Sequence, residues 1–209
     1  MESYTEVSRG SDPADVLTQF PDFSHAAHLM VYCKWPGKLF GKYEYKAVAM
    51  MQMRFDGMLG FPGGVVDEGE TPQQAVTREF KEEVGCDDGM VTITTADHIC
   101  THYSHHTRLC LHFFAKEVTR DVYLNLEKSA LTAKDWGKEV FGVIRVPLYT
   151  LPNGLGLPGF LKNAFIGNSL MQLGLSLTRG GLLTEGEWAE ALSTSSHVTG
   201  LVKKEEIDY

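Results

Sequence analysis

The sequence predicts a single mixed α/β domain with helices flanking a sheet. Two observations point there. Apolar runs with strand character, such as 28–33, 45–55 and 140–146, are interleaved with segments of helical period, such as 71–84 and 122–133, without the regular alternation of a doubly wound parallel sheet. The 209 residues, 43% hydrophobic and 22% charged, suffice for one sizeable core and exclude a mostly disordered or coiled-coil chain.

Residues 1–23 carry Gly10-Ser11-Asp12-Pro13 and Pro21 and lack strong periodicity, so they read as a lead-in with at most one short helix. Strands are expected at His28–Cys33 and, after the turn-rich Trp35-Pro36-Gly37, at Tyr45–Phe55. The pattern turns helical over Thr71–Val84, with Pro72 in the first turn and Gly85 as the stop. Val91–Cys100 and Arg108–Lys116 read as strands, Val122–Ala133 as a helix and Val140–Val146 as a strand ended by Pro147. One broken or two short helices are expected over Phe160–Leu177, another over Thr184–Leu192, and a polar tail from Ser193. The domain division is therefore 1–23 lead-in, 24–192 main domain and 193–209 tail.

Charge and cysteine usage narrow the class. Nineteen Lys and Arg against 27 Asp and Glu leave a net charge of -8, which argues against a broad basic surface gripping nucleic acid. Cys33, Cys86, Cys100 and Cys110 form no C-x-x-C pair, and the polar, acidic N-terminus has no secretory character, so a reduced intracellular setting is expected. No apolar run approaches the roughly 18 residues of a membrane span.

The informative stretch is Gly63-Gly64-Val65-Val66-Asp67-Glu68-Gly69-Glu70, followed by TPQQAVTREFKEEVGC. Glu79, Glu82 and Glu83 stand at i, i+3 and i+4 on one helix face, while Val76, Phe80 and Val84 form a separate apolar stripe. Three glutamates on a helix are commonly a solvated face. Here they follow a Gly-rich loop, Glu70 adds a fourth carboxylate and Arg78 lies beside them, a set suited to a hard divalent cation that bridges substrate phosphates.

Gly64, five residues, Glu70, seven residues, Arg78-Glu79-Phe80, one residue, Glu82-Glu83, one residue, Gly85-Cys86 resembles the Nudix box at every specified position. The resemblance to the Nudix hydrolase superfamily implies an α/β/α sandwich with a mixed sheet and metal-dependent attack of water on a diphosphate linkage. It further implies Glu79 and Glu83 as Mg2+ or Mn2+ ligands, Glu82 as a further ligand or the base, Arg78 as a brace, and Gly63 as a carbonyl donor to the metal.

Longer strings, LFGKYEYKAVAMMQMRFDGMLGFPGG, LHFFAKEV, AKDWGKEV to RVPLYTLPNG, and FLKNAFIGNS, are similar to the branch of snoRNA-decapping and inosine diphosphatase enzymes and their relative syndesmos. That branch implies His28, Arg54, Phe61, Ile166 and Gln172 around a purine or cap, and His102 approaching a metal. It implies substrates among (deoxy)inosine di- and triphosphates and the m7G cap of RNA, a homodimer, and residence in the nucleus, including nucleolus and nucleoplasm, and the cytoplasm. Two other readings stay open: a catalytically silent RNA- or protein-binding module of the syndesmos kind, and an ADP-ribose-directed hydrolase. Without the resemblance the pocket residues have ordinary readings, Arg54 as a strand-end charge, Phe61 as loop packing, and His102, His105 and His106 as a weak zinc-like spacing. Val65 departs from the branch, whose members often carry Phe there.

Overall fold

The computed structural model describes residues 3–7, 10–87 and 89–196. Its strands are β1 (Thr5–Glu6), β2 (Ser24–Cys33), β3 (Gly37–Leu39), β4 (Tyr43–Tyr45), β5 (Val48–Arg54), β6 (Leu59–Gly60), β7 (Gly63–Val65), β8 (His98–Ser104), β9 (Leu109–Glu117) and β10 (Val140–Val146). Its helices are α1 (Pro13–Gln19), α2 (Pro72–Val84), α3 (Arg120–Ser129), α4 (Leu157–Phe160), α5 (Ser169–Arg179) and α6 (Glu185–Ser195), with short 3-10 turns at Thr95–Asp97 and Ala130–Thr132.

The main sheet runs β1-β8-β9-β2-β5-β10, with β6 beside β5 and β7 beside β2. Among the strand pairings of the described residues the long β2/β9 pairing alone is parallel, so the sheet is mixed. The alternation of β2 builds the layers. Ala27, Leu29 and Val31 point into a core shared with Val76, Phe80 and Val84 of α2 and with Tyr123 and Leu126 of α3. Met30 points into a second core with Phe113, Cys100, and Leu173 and Leu177 of α5. The result is an α/β/α sandwich whose opposite faces carry α2 with α3 and α4 with α5 and α6.

Two expectations need correction. The lead-in supplies a strand as well as a helix, because β1 pairs with the outer edge of β8 through Thr5 and Tyr103, Glu6 and His102. The strand expected over Val91–Cys100 forms only from His98 onward. Val91 and Ile93 are buried as their alternation demands, but they pack under α2 and α3 without pairing, and Thr94 and Asp97 then close a capped 3-10 turn. Helix α6 continues to Ser195, and residues 197–209 of the expected tail lie outside the described residues. No described helix is long and apolar enough to cross a membrane.

Candidate active site at the start of helix α2

Helix α2 is fixed at both ends by local chemistry. Thr71 and Gln74 form a reciprocal capping box, Pro72 occupies the first turn, and Gly85 closes the helix in the left-handed region at φ 71°. Each residue advances about 100° around the axis. Glu83 therefore sits beside the Val76 stripe, Glu79 further round and Glu82 furthest, and burial follows that order: Glu83 is 4% exposed, and the side chains of Glu79 and Glu82 are 19% and 29% exposed.

The Gly63-Gly64 loop reaches these carboxylates directly. The Gly63 N–H donates to Glu83 Oε2 at 2.7 Å, and Gln52 Nε2 of β5 donates to Glu83 Oε1 at 2.9 Å. A Cβ on Gly63, whose φ is 143°, would strike the Ala27 carbonyl of β2; one on Gly64 would lie 2.6 Å from the Glu79 carboxylate. Both glycines are thus required by contact, one with the sheet and one with the acid.

Arg78 ties the loop to the helix. Its Nε and Nη2 donate in parallel to Glu70 Oε1 and Oε2, both at 2.9 Å, Nη1 donates to Glu79 Oε1 at 2.7 Å, and Nη2 also reaches the Val65 carbonyl. Glu82 pairs with Lys134 Nζ at 2.9 Å. Burial pushes the Glu83 carboxyl up to about 7 against the help of its two neutral donors, and burial likewise raises Glu79 although Arg78 opposes it.

A hard divalent cation fits this donor class. Two carboxylates one helical turn apart are raised by burial, a cost that a bound cation would offset. Among the described residues no three His, Cys, Asp or Glu side chains converge as a closed metal cage. The chain offers an open, oxygen-lined edge that leaves coordination positions to water and phosphate, as magnesium sites commonly do.

The expected pocket residues separate into those near this edge and those apart from it. Arg54 and Ile166 flank Gly60, where a Cβ would lie 3.1 Å from Arg54 Cδ and 3.0 Å from Ile166 Cγ2. Arg54 also pairs with Asp56 and lies 5.2 Å from the Phe55 ring centroid. His28 pairs in register with Gly63; burial and the charge of Arg54 lower its imidazole to about 4, and its Nδ1 has no partner. Gln172 is buried on the inner side of α5 with Nε2 unpartnered.

Phe61 lies in the second core and His102 on β8. The Phe61 ring is 3% exposed and packs edge-on against Phe113. His102 lies on β8, three strands across the sheet from β7, about 14 Å by strand spacing. Its buried ring lies 3.6 Å from Cys100 Sγ, and His105 and His106 are exposed on the following turn. The H-x-x-H-H spacing therefore gathers no zinc site.

Three contributors went unread in the sequence. Gln52 is the lone polar side chain in the apolar run 47–53, a visible sign that something polar must meet it. Glu139 sits on the loop entering β10, its carbonyl accepting from Phe55 N at 3.0 Å, and its charge helps raise both Glu79 and Glu83. Lys134 faces Glu82 from the same loop, which Asp135 N pins to the Glu82 carbonyl at 3.1 Å. Only the tertiary fold brings that loop to α2.

Fold and site together define a Nudix-type hydrolase. The family model described as Nudt16-like, U8 snoRNA-decapping enzyme-like, matches residues 25–183, and the chain belongs to that family. It is similar to the U8 snoRNA-decapping enzyme of Bos taurus, 42% identical over 178 residues that cover 84% of this chain and 91% of that one. The corresponding protein of Homalodisca vitripennis is 48% identical over 139 residues, 66% of this chain and 74% of that one. The Tudor-interacting repair regulator protein of Homo sapiens is 36% identical over 179 residues, 84% and 83% of the two chains. Among solved structures, a MutT/nudix family protein from Enterococcus faecalis shares the fold at TM-score 0.50 and 14% identity, covering 88% of this chain and 76% of that one.

Proposed function

We propose that this chain is a divalent-cation-dependent pyrophosphohydrolase for inosine-type nucleoside di- and triphosphates and for the m7G-capped end of small nucleolar or other RNA. The observation that carries it is the contact of Glu79 and Glu83 with a two-glycine loop too close for any side chain. Relatives named as decapping enzymes support the RNA arm of the reading.

Glu79 and Glu83 would hold Mg2+ or Mn2+, with Glu82 beside them. When bound, that cation supplies charge neutralisation for the phosphates and lowers the pKa of a water. The chain's own groups do the rest. Gly63 N–H and Gln52 hold Glu83 in one rotamer, and Arg78 aligns Glu79 while anchoring Glu70. Lys134 and Glu139 carry charge to the rim from a separate loop. Arg54, His28 and Ile166 receive the nucleoside on the sheet side of the loop.

The relatives named Tudor-interacting repair regulator favour a second reading, a non-catalytic binding module. Glu70, Glu79, Glu82 and Glu83 are all present, which weighs against it. One kinetic panel of IDP, capped RNA and ADP-ribose with Mg2+ or Mn2+ separates the readings. Turnover of IDP and release of m7GDP is the expected result; ADP-ribose outrunning both would redirect the substrate, and silence on all three would support the module. A homodimer residing in nucleus and cytoplasm completes the reading, with sedimentation at micromolar concentration and imaging of the tagged chain as its checks.

A further inference from the structure

The loop that leads from α3 to β10 is fastened to the last turn of α2, and the fastening follows from the helix's own needs. The final carbonyls of a helix have no partner within it. Here the Glu82 carbonyl accepts from Asp135 N at 3.1 Å and the Val84 carbonyl from the Ser129 hydroxyl at 2.9 Å. Gly85 lets the two segments close, since a Cβ there would lie 2.8 Å from the Ser129 carbonyl oxygen and 3.3 Å from Ala133 Cβ. Beyond Asp135 the chain folds back on itself, Glu139 N and Val140 N both donating to the Asp135 carbonyl, at 3.1 and 3.2 Å. Lys134 therefore springs from backbone held on either side of it, against the helix that carries the carboxylates.

The cationic side chains at this edge differ in the donors they have to offer. Arg78 makes four hydrogen bonds from its five N–H groups, to Glu70, Glu79 and the Val65 carbonyl. Arg54 gives Nε and Nη2 to Asp56. Lys134 has three N–H donors and pairs with Glu82 Oε2 at 2.9 Å, its side chain 63% exposed. Its ammonium is raised, chiefly by the hydrogen bond to Glu82, with the charges of Asp135 and Glu79 adding to the effect.

This pair is built to exchange partners. Exposed ion pairs hold weakly, and a lysine carries a compact charge on a flexible stem. With a divalent cation at Glu79 and Glu83 the ammonium beside Glu82 faces like charge, while substrate phosphates bring the opposite sign to the same rim.

We propose that Lys134 is a phosphate-binding residue that changes partner: it neutralises Glu82 in the metal-free site and, as Glu82 turns to the bound cation, donates to a non-bridging oxygen of the substrate's diphosphate. This rests on the reading of the site as a pyrophosphohydrolase. No covalent bond changes in the exchange and Lys134 keeps its proton. The assignment has a sign that a mere prop for Glu82 lacks, because removing a prop weakens metal binding and removing a competitor strengthens it.

Calorimetry of Mn2+ binding to the full chain without substrate, and equilibrium dialysis of labelled inorganic pyrophosphate at saturating Mn2+, compare the parent with K134M and K134R. K134M should bind Mn2+ at least about threefold more tightly, as loss of a nearby like charge allows. It should bind pyrophosphate at least about fivefold more weakly, as loss of a charge-assisted hydrogen bond implies. K134R keeps the charge and should hold pyrophosphate within about threefold of the parent. Mn2+ binding unchanged or weakened in K134M, pyrophosphate binding unchanged there, K134R as weak as K134M, or no pyrophosphate binding by the parent would overturn the assignment. A parent that shows the expected binding pattern but releases no phosphate from IDP would instead sink the proposed activity and leave the role of Lys134 standing.

Discussion

At the scale of single residues, the carboxylates of α2 are distinguished by what touches them. Glu83 is the deepest, held by an N–H and an amide that are both neutral. Removing the Gln52 amide leaves a buried carboxylate oxygen without its donor, so Gln52→Leu should cost about 1–3 kcal/mol of folding free energy. Urea denaturation measures it, and a variant as stable as the parent would show that Gln52 does not support Glu83. Gly64→Ala places a methyl 2.6 Å from the Glu79 carboxylate, which must swing away. We expect hydrolysis to fall at least about tenfold, a loss that follows misplacement of a reacting group, with the melting temperature little changed. Full activity in that variant would disprove the close approach.

Residue identity was also the scale at which the sequence was most legible. Box spacing placed Glu79, Glu83 and Arg78 correctly relative to one another, because positions within one helix follow from periodicity alone. The surroundings of Phe61 and His102 were not legible there, because whether a side chain faces a pocket or the core depends on the pairing of β6 and β8, which is a tertiary property.

At the scale of elements, strands β2, β8 and β9 carry a buried hydrogen-bonded chain that no motif announced. His25 Nε2 lies 3.0 Å from the Phe20 carbonyl and must donate to it, so His25 Nδ1 accepts from His112 Nε2 at 3.0 Å. His112 Nδ1 then accepts from the Thr101 hydroxyl at 3.0 Å, and Thr101 Oγ1 accepts from His98 Nε2 at 2.9 Å. Every donor in the chain thereby meets an acceptor, and burial lowers His112 to about 3 from 6.5. The folded state therefore refuses a proton that the unfolded chain takes below about 6.5. Stability from this group is complete above that pH and is lost as pH falls toward 3, by up to about 1.4 kcal/mol per unit. Denaturation at pH 7, 6 and 5 should show a steeper acid loss in the parent than in His112→Asn; parallel losses would contradict the assignment.

Element boundaries were legible where local signals closed them. Strand β10 spans Val140–Val146 as expected, ended by Pro147, and α2 starts one residue inside its expected range because Thr71 is the cap. Strand β1 was invisible, since two residues gain strand geometry only from the distant edge of β8. The 91–96 stretch shows that alternation reports burial and does not by itself imply pairing.

At the scale of the whole molecule, charge and topology decide how substrates arrive. A net charge of -8 leaves no general attraction for a polyanion. Uncapped RNA should bind weakly without metal and no more tightly as its length grows; metal-free binding that strengthens with length would refute a site that takes one end. The clamp of Arg179 on Glu6 at 2.7 Å and on the Ile99 carbonyl at 3.0 Å joins the N-terminal strand to α5 across the sheet. It ties the C-terminal end of α5 to the β1–β8 edge of the sheet.

Hydrolysis is expected to depend on a cation held by the α2 carboxylates. Phosphate release from IDP, followed across a Mg2+ titration for the parent, Glu79→Gln and Glu83→Gln, tests it most directly. The parent should be silent without metal and saturate with it, while both folded variants lose at least about 100-fold in rate at every metal concentration, more than an outer-shell change alone brings. Metal-independent release by the parent, or variants that turn over at the parental rate, would contradict it.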